Sequence, residues 1–354
     1  MLNRLSKYDN EIYTAPYWEN DTVFHELLVF IRKNDDLPRA KLLYKPTEIL
    51  AVKSATLEME YIEGEDFTVE NNEIILTKNS KIPIVDESEL YTDSDSFPSK
   101  TTDKFYNYFN ECSLFKREVA VTYKHNEKWL GYIPKYCGDI LPRTTSMLKN
   151  KEPIKIAFIG DSITELGDIS GSQKCAPFMP RYSEMVIERI SSLIGTEIKY
   201  ENVAVGGTSS DNFLKNEAIR NTIYNLEPDL VFIAYGMNDG GWIKPDIFVE
   251  NIKAIIYDLK AKFPSCEFIL ISTVIPNRDA CWSNQSPIYI YQSDYEKAME
   301  ILEEKGIALA RITSIYSYME NIKGFYGMTA TGINHPNDFT VRVYAQTILK
   351  MLFE

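Results

Sequence analysis

Hydrophobic and polar positions follow two rhythms along this chain, and the change comes near residue 150. Before it, runs rich in Val, Ile, Thr and Tyr at 49–61, 67–69, 73–76 and 117–123 read as short strands, several with alternating polar positions. Turn clusters at Glu63-Gly64-Glu65-Asp66, Asn71-Asn72 and His125-Asn126 separate them. Strands this short and this closely spaced predict a β-rich module over 1–150, sandwich- or jelly-roll-like. Residues 86–103, rich in Ser, Asp, Thr and Pro, read as a long solvated loop. After residue 150 the rhythm becomes strand, loop, helix. Apolar runs at 154–159, 198–205, 230–235, 268–273 and 308–312 alternate with stretches of helical spacing, among them 183–193, 246–263, 293–305 and 339–352. That alternation predicts an α/β fold over 151–354, a parallel sheet with helices on both faces, with 141–148 as the connector.

Composition narrows the function. A chain of 354 residues has length for two hydrophobic cores. Its net charge of -13 repels phosphate backbones and anionic membrane surfaces, so neither nucleic acid nor membrane is an expected partner. The first ten residues are polar, and no run approaches the roughly 18 apolar residues of a membrane span. The expected location is the cytoplasm, or outside the cell if a leader has been removed. Five scattered cysteines without C-x-x-C spacing read as free thiols. No metal site and no cofactor are expected. With only His25, His125 and His335, chemistry that needs an imidazole has few choices.

The candidate chemistry lies where the second rhythm breaks. The run 154–159 ends at Gly160-Asp161, and Ser162 follows, a serine held at the rim where open α/β folds bind ligands. The next strand leads into Gly206-Gly207-Thr208, where backbone can approach a ligand and aim an N–H at it. The third leads into Gly236-Met237-Asn238-Asp239, whose Asn238 amide can point to the same rim. A backbone N–H and an asparagine amide are common donors to a developing oxyanion. Past the last strand, His335 precedes Pro336 and the final helix, placed to act as a base toward Ser162. Singly, each of these is an ordinary turn or cap; their conjunction on one rim makes the argument.

Gly160-Asp161-Ser162-Ile163, Gly207, Gly236-x-Asn238-Asp239 and His335-Pro336 together resemble the four blocks of the SGNH (GDSL-type) hydrolase superfamily. The resemblance covers 150–354. It implies a flavodoxin-like sheet, Ser162 as nucleophile, His335 as general base, and an oxyanion hole from the Ser162 and Gly207 N–H groups with the Asn238 side chain. It also exposes a departure. Members usually carry an aspartate three residues before the histidine, and Gly332 stands there. Asp338, Asn334 or a backbone carbonyl are the alternatives for orienting His335, with Asp338 also fit to cap the last helix.

A β-rich module ahead of such a domain is similar to the layout of carbohydrate acetylesterases. The expected substrate is a small-molecule or saccharide ester, most simply an O-acetyl sugar, because the rim loops are polar and mixed. Trp242 and Trp282 in those loops are candidates for sugar stacking, and Pro276-Asn277-Arg278 faces the same rim. Two further readings stay open: a thioesterase, lysophospholipase or acyltransferase on the same residues, and a glycan-binding protein whose hydrolase site has decayed.

Overall fold

All five strands expected after residue 150 form, as Lys155–Gly160, Lys199–Asn202, Leu230–Ala234, Glu267–Ile271 and Ile307–Ala310. They come from a computed structural model that describes residues 7–34, 36–93 and 96–354. The five pair in parallel, with 155–160 between 199–202 and 230–234, followed outward by 267–271 and 307–310. In chain order the sheet reads 2-1-3-4-5, the flavodoxin-like doubly wound arrangement.

Successive side chains on a strand point to opposite faces, and the cores divide accordingly. Ile156, Phe158, Leu230, Phe232, Ile269, Ile271, Ala308 and Ala310 pack with the helices Tyr182–Ile194, Ile312–Lys323 and Asp338–Leu352. Ala157, Ile159, Val231, Ile233, Phe268, Leu270, Ile307 and Leu309 pack with Glu217–Leu226, Pro245–Lys262 and Gln292–Met299. The result is a three-layer sandwich. The 141–148 stretch is itself a helix, Pro142–Lys149, with proline at its first turn.

The N-terminal region is β-rich. Thr22–Val29, Glu118–His125, Pro46–Ser54 and Glu60–Tyr61 form a four-stranded antiparallel sheet, and Arg39–Lys41, Glu73–Leu76 and Phe67–Glu70 a three-stranded one. Its apolar residues share one cluster with the helical layer of the parallel sheet. The helix Asp338–Leu352 sits at that junction and buries every residue except Lys350, as a helix packed on all sides does. Its polar residues bond across the junction. Arg342 donates to Phe24 O at 2.7 Å and His25 O at 3.0 Å, and Gln346 donates to Tyr13 O at 3.2 Å. Nearby, Lys323 and Glu26 form an ion pair whose two side chains are both fully buried.

Residues 86–103 are not a free loop. Glu87–Leu90 forms a 3-10 turn, Tyr91–Thr92 pairs with Phe105–Tyr106, and residues 98–100 bond to the rim of the parallel sheet. The apolar and aromatic residues in and beyond the stretch (Leu90, Phe97, Tyr106, Tyr108, Phe109) give it a surface to pack with. Residues 94 and 95 lie outside the described residues.

Candidate active site

A 2-1-3-4-5 sheet reverses direction between its first and third strands, and the crevice beyond their carboxyl ends is where such folds bind ligands. Ser162 follows the first strand and Asn238 the third. Gly160 closes the first strand where a Cβ would lie 2.6 Å from Ala234 O and 2.7 Å from Thr164 Oγ1, so no larger residue fits. Asp161 then caps the one-turn helix Ser162–Glu165, accepting from Ile163 N at 3.1 Å and from Met237 N at 3.3 Å. That carboxyl ties the first strand's end to the third's. Burial pushes it up to about 7.

Ser162 is the first residue of its helix, so its N–H is one of the orphan donors of a helix start. Its Oγ lies 2.7 Å from His335 Nε2. On the other side of the ring, His335 Nδ1 lies 2.5 Å from Asp168 Oδ2. A carboxylate accepts, so Nδ1 carries the proton and Nε2 is free to accept from Ser162. Asp168 has two other donors, Tyr108 Oη to Oδ2 at 2.6 Å and Gln173 Nε2 to Oδ1 at 2.6 Å. Burial pushes the Asp168 carboxyl up, but the hydrogen bond and charge of His335, with Tyr108 and Gln173, outweigh it and hold it below the usual range. A hydroxyl hydrogen-bonded to an imidazole whose far nitrogen is held by a carboxylate can deliver a serine oxygen to an acyl carbon.

Asp168 answers the question left by Gly332. That glycine has φ +76, and a Cβ on it would sit 3.2 Å from Phe109 Cδ2 and 3.3 Å from Asn107 O. The position usually given to aspartate is thus occupied by left-handed backbone under a packed aromatic ring. None of the alternatives weighed takes its place. Asp338 turns away and accepts from Ser170 N at 2.8 Å and Ser170 Oγ at 2.5 Å. The last helix is capped by Asn337, which accepts from Thr340 N. Asp168 lies in the loop just after the nucleophile. An acid six residues past Ser162 was the available signal.

Of the other rim residues, Gly206 stands beside Ser162, and Asn238 is bonded to the same loop. A Cβ on Gly206 would be 3.6 Å from Ser162 Cβ. Gly206 N–H donates to Glu165 Oε2 at 2.6 Å, while Gly207, at φ +75, has no acceptor among the described residues for its own N–H. Asn238 Nδ2 donates to Thr208 O at 2.9 Å, and its second hydrogen has no acceptor among the described residues. Asp239 is buried behind it and accepts from Ser210 N and Oγ at 2.9 and 2.5 Å. Of the other rim candidates, Trp242 is 61% exposed and donates to Asn238 O at 3.0 Å. Trp282 packs near Phe97, and Arg278 is paired with Glu320 at 2.5 and 2.8 Å.

Among the described residues, no helix is long and apolar enough to cross a membrane. No curated protein sequence matches the chain at a significant level. Among solved structures, an acetylxylan esterase from Geobacillus stearothermophilus is similar over 57% of this chain and 95% of its own, at 18% identity and a TM-score of 0.43. A two-domain esterase active on acetylated mannans is similar over 63% of this chain and 54% of its own, at 22% identity and a TM-score of 0.46. The model of the GDSL-like lipase/acylhydrolase family matches residues 158–340, just over half the chain and the whole span from Ser162 to His335. The chain belongs to that family and is a hydrolase of ester bonds.

Proposed function

We propose that this protein is a serine esterase that removes small acyl groups, acetyl above all, from the hydroxyls of O-acylated carbohydrate. The observation that carries the reading is the unbroken contact from Ser162 Oγ through His335 to Asp168. In this mechanism Ser162 Oγ attacks the acyl carbon and its proton passes to His335 Nε2. The carbonyl oxygen becomes an oxyanion, met by the N–H groups of Ser162 and Gly207 and the second Asn238 N–H. Collapse breaks the ester bond, and His335 returns the proton to the departing sugar oxygen. Water, deprotonated by His335, then attacks the acyl-enzyme and releases the carboxylate. Asp168 holds the tautomer and balances the imidazolium charge.

The surroundings of Ser162 support a short acyl group on a polar alcohol. Gly206 borders it with Glu165 bonded to Gly206, Thr208 and Asn238 belong to the same polar rim, and the exposed Trp242 offers a flat face beside Asn238 for a sugar ring. Residues 1–150 stand in this reading as an accessory β-rich unit to the hydrolase of 151–354. A longer acyl chain is the second reading, favoured by Leu166 and Phe178, 52% and 61% exposed on either side of Asp168 in sequence.

Two measurements test the proposal. A fluorophosphonate probe should label the protein and leave Ser162→Ala unlabelled. Acetate should be released from O-acetylated oligosaccharides, with rates on nitrophenyl esters falling as the acyl chain lengthens. Labelling of Ser162→Ala at the parent rate, or a preference for long-chain esters with no acetate release, would overturn it.

A further inference from the structure

Residues 96–110 leave the N-terminal β region and run along the rim that carries the site. Their backbone is joined to the loop beyond the fourth parallel strand by Lys100 N–H to Asp279 O and Cys281 N–H to Pro98 O, both 2.8 Å. Three hydroxyls of the segment, from Ser99, Thr101 and Tyr106, converge on Asp279 Oδ2. Further on, Asn107 N–H donates to Leu90 O at 2.9 Å and Phe109 N–H to Thr331 O at 3.0 Å. The residue between these two anchors is Tyr108. Its ring stacks on Phe97 with centroids 5.6 Å apart and planes 20° off parallel. Its hydroxyl donates to Asp168 Oδ2 at 2.6 Å and lies 3.5 Å from His335 Nδ1.

We propose that Tyr108 is a positioning residue of the esterase reaction: it fixes the Asp168 carboxylate against His335, so that the N-terminal region completes the catalytic machinery. The inference rests on the roles given above to Ser162 and His335. Asp168 needs such a support because it stands in a loop of turns, just after Gly167 at φ +53, with no strand or long helix to hold it. Tyr108 and Gln173 grip opposite oxygens of the carboxylate. With both oxygens held by groups other than the imidazole, the carboxylate keeps its place as His335 gains and loses a proton. Burial and the Asp168 charge push the Tyr108 hydroxyl well above its usual range, so it remains a donor throughout.

The test is Tyr108→Phe, which keeps the ring on Phe97 and removes only the hydroxyl, assayed on p-nitrophenyl acetate, an ester that needs no sugar subsite. The expected result is a loss in kcat of about tenfold, with KM and the melting temperature little changed. The pH profile gives a second readout. The titratable and charged groups facing His335 are Ser162, Tyr108, Asp168 and, through its charge, Asp161. Without the tyrosine hydroxyl the Asp168 charge is less dispersed and holds the imidazolium more tightly, so the acid limb of kcat/KM should move to higher pH. In an Asp168→Ala background the same substitution should cost almost nothing, because its route of action is gone. An unchanged kcat, an unmoved acid limb, or a full tenfold loss in the Asp168→Ala background each overturn the inference. Ser162→Ala separates this from the underlying reading. If that variant still hydrolyses the ester, the esterase assignment itself fails; if it is dead and Tyr108→Phe runs at full speed, only the inference falls.

Discussion

Replacing Asp168 by asparagine and by alanine should give very different losses, and the reason lies in which oxygen each donor uses. Oδ2 receives two donors, His335 Nδ1–H and Tyr108 Oη–H, whereas Oδ1 receives only the Gln173 amide. An asparagine will therefore place its carbonyl oxygen at the Oδ2 position and its NH₂ toward Gln173, whose own amide can turn to accept it. His335 keeps its tautomer and Ser162 keeps its acceptor. What disappears is the negative charge. A hydrogen bond to a charged group contributes about 1.5–3 kcal/mol against about 1 for a neutral one, so the loss is about 1–2 kcal/mol, roughly 5–30-fold in rate. Alanine removes the acceptor altogether, leaves three donors unmatched and frees the imidazole to turn. Losing the whole charged bond plus an unmet donor costs about 3–4 kcal/mol, on the order of 10²–10³-fold. Steady-state kcat/KM on p-nitrophenyl acetate near neutral pH, with melting curves to check folding, measures both. A loss near 10⁴-fold for Asp168→Asn, the size seen when a triad asparagine imposes the wrong tautomer, would refute the assignment of donors to oxygens. Equal small losses for both variants would refute a role for Asp168 itself.

Three other outcomes are expected. Gly332→Asp, which restores the residue usual in the family at that position, should lower the melting temperature and give no gain in kcat. Its side chain would begin 3.2 Å from Phe109 Cδ2 on backbone at φ +76. Burial pushes Glu118 up to about 8, Asp161 to about 7, and Asp239 and Asp338 to about 6. Each keeps a proton in the folded state that the unfolded chain loses near pH 4, so their contribution to stability is present below that pH and lost as pH rises toward 8. The melting temperature should fall between about pH 5 and pH 8.5, and Glu118→Gln should flatten the upper part of that slope; an unchanged slope would count against the burial argument. Lys323→Ala takes the cation from Glu26, whose fully enclosed carboxylate keeps only the Leu43 N–H and Tyr123 hydroxyl as partners, and urea unfolding should show a loss of about 3–5 kcal/mol.

The parallel sheet was legible because each strand is a short apolar run bounded by turn residues and separated by stretches of helical spacing. Ser162, Gly207 and Asn238 stand out because each follows the end of such a run, and His335 because it is the one histidine just ahead of the final helix. Asp168 was not, since it lies 167 residues from His335 and its loop has no periodicity to mark it. Tyr108 lies 227 residues away, just beyond the stretch 86–103 whose polar composition reads as a solvated loop. Its packing on Phe97 and its bond to Asp168 are tertiary facts with no local trace. The helix 142–149 carries a proline at its start and few apolar residues, which made it read as a connector. The helix 312–323 begins two residues after a strand, and its apolar spacing merged with that run.

The last helix, enclosed between the parallel sheet and the N-terminal strands, also sets an order in time. Strand 22–29 and its partner 118–125 are synthesised early, yet the cluster they help to form includes Phe339, Val343 and Ile348. At roughly 5–20 residues per second a ribosome needs on the order of ten to forty seconds to add what is missing. During that interval the first third of the chain displays an apolar face whose cover has not yet been made. The newborn protein is therefore open to chaperones or to aggregation until the last helix emerges, and the contact of Ser162 with His335 cannot form much sooner. A stop codon that removed the final helix would strip the core of both ends of the molecule at once.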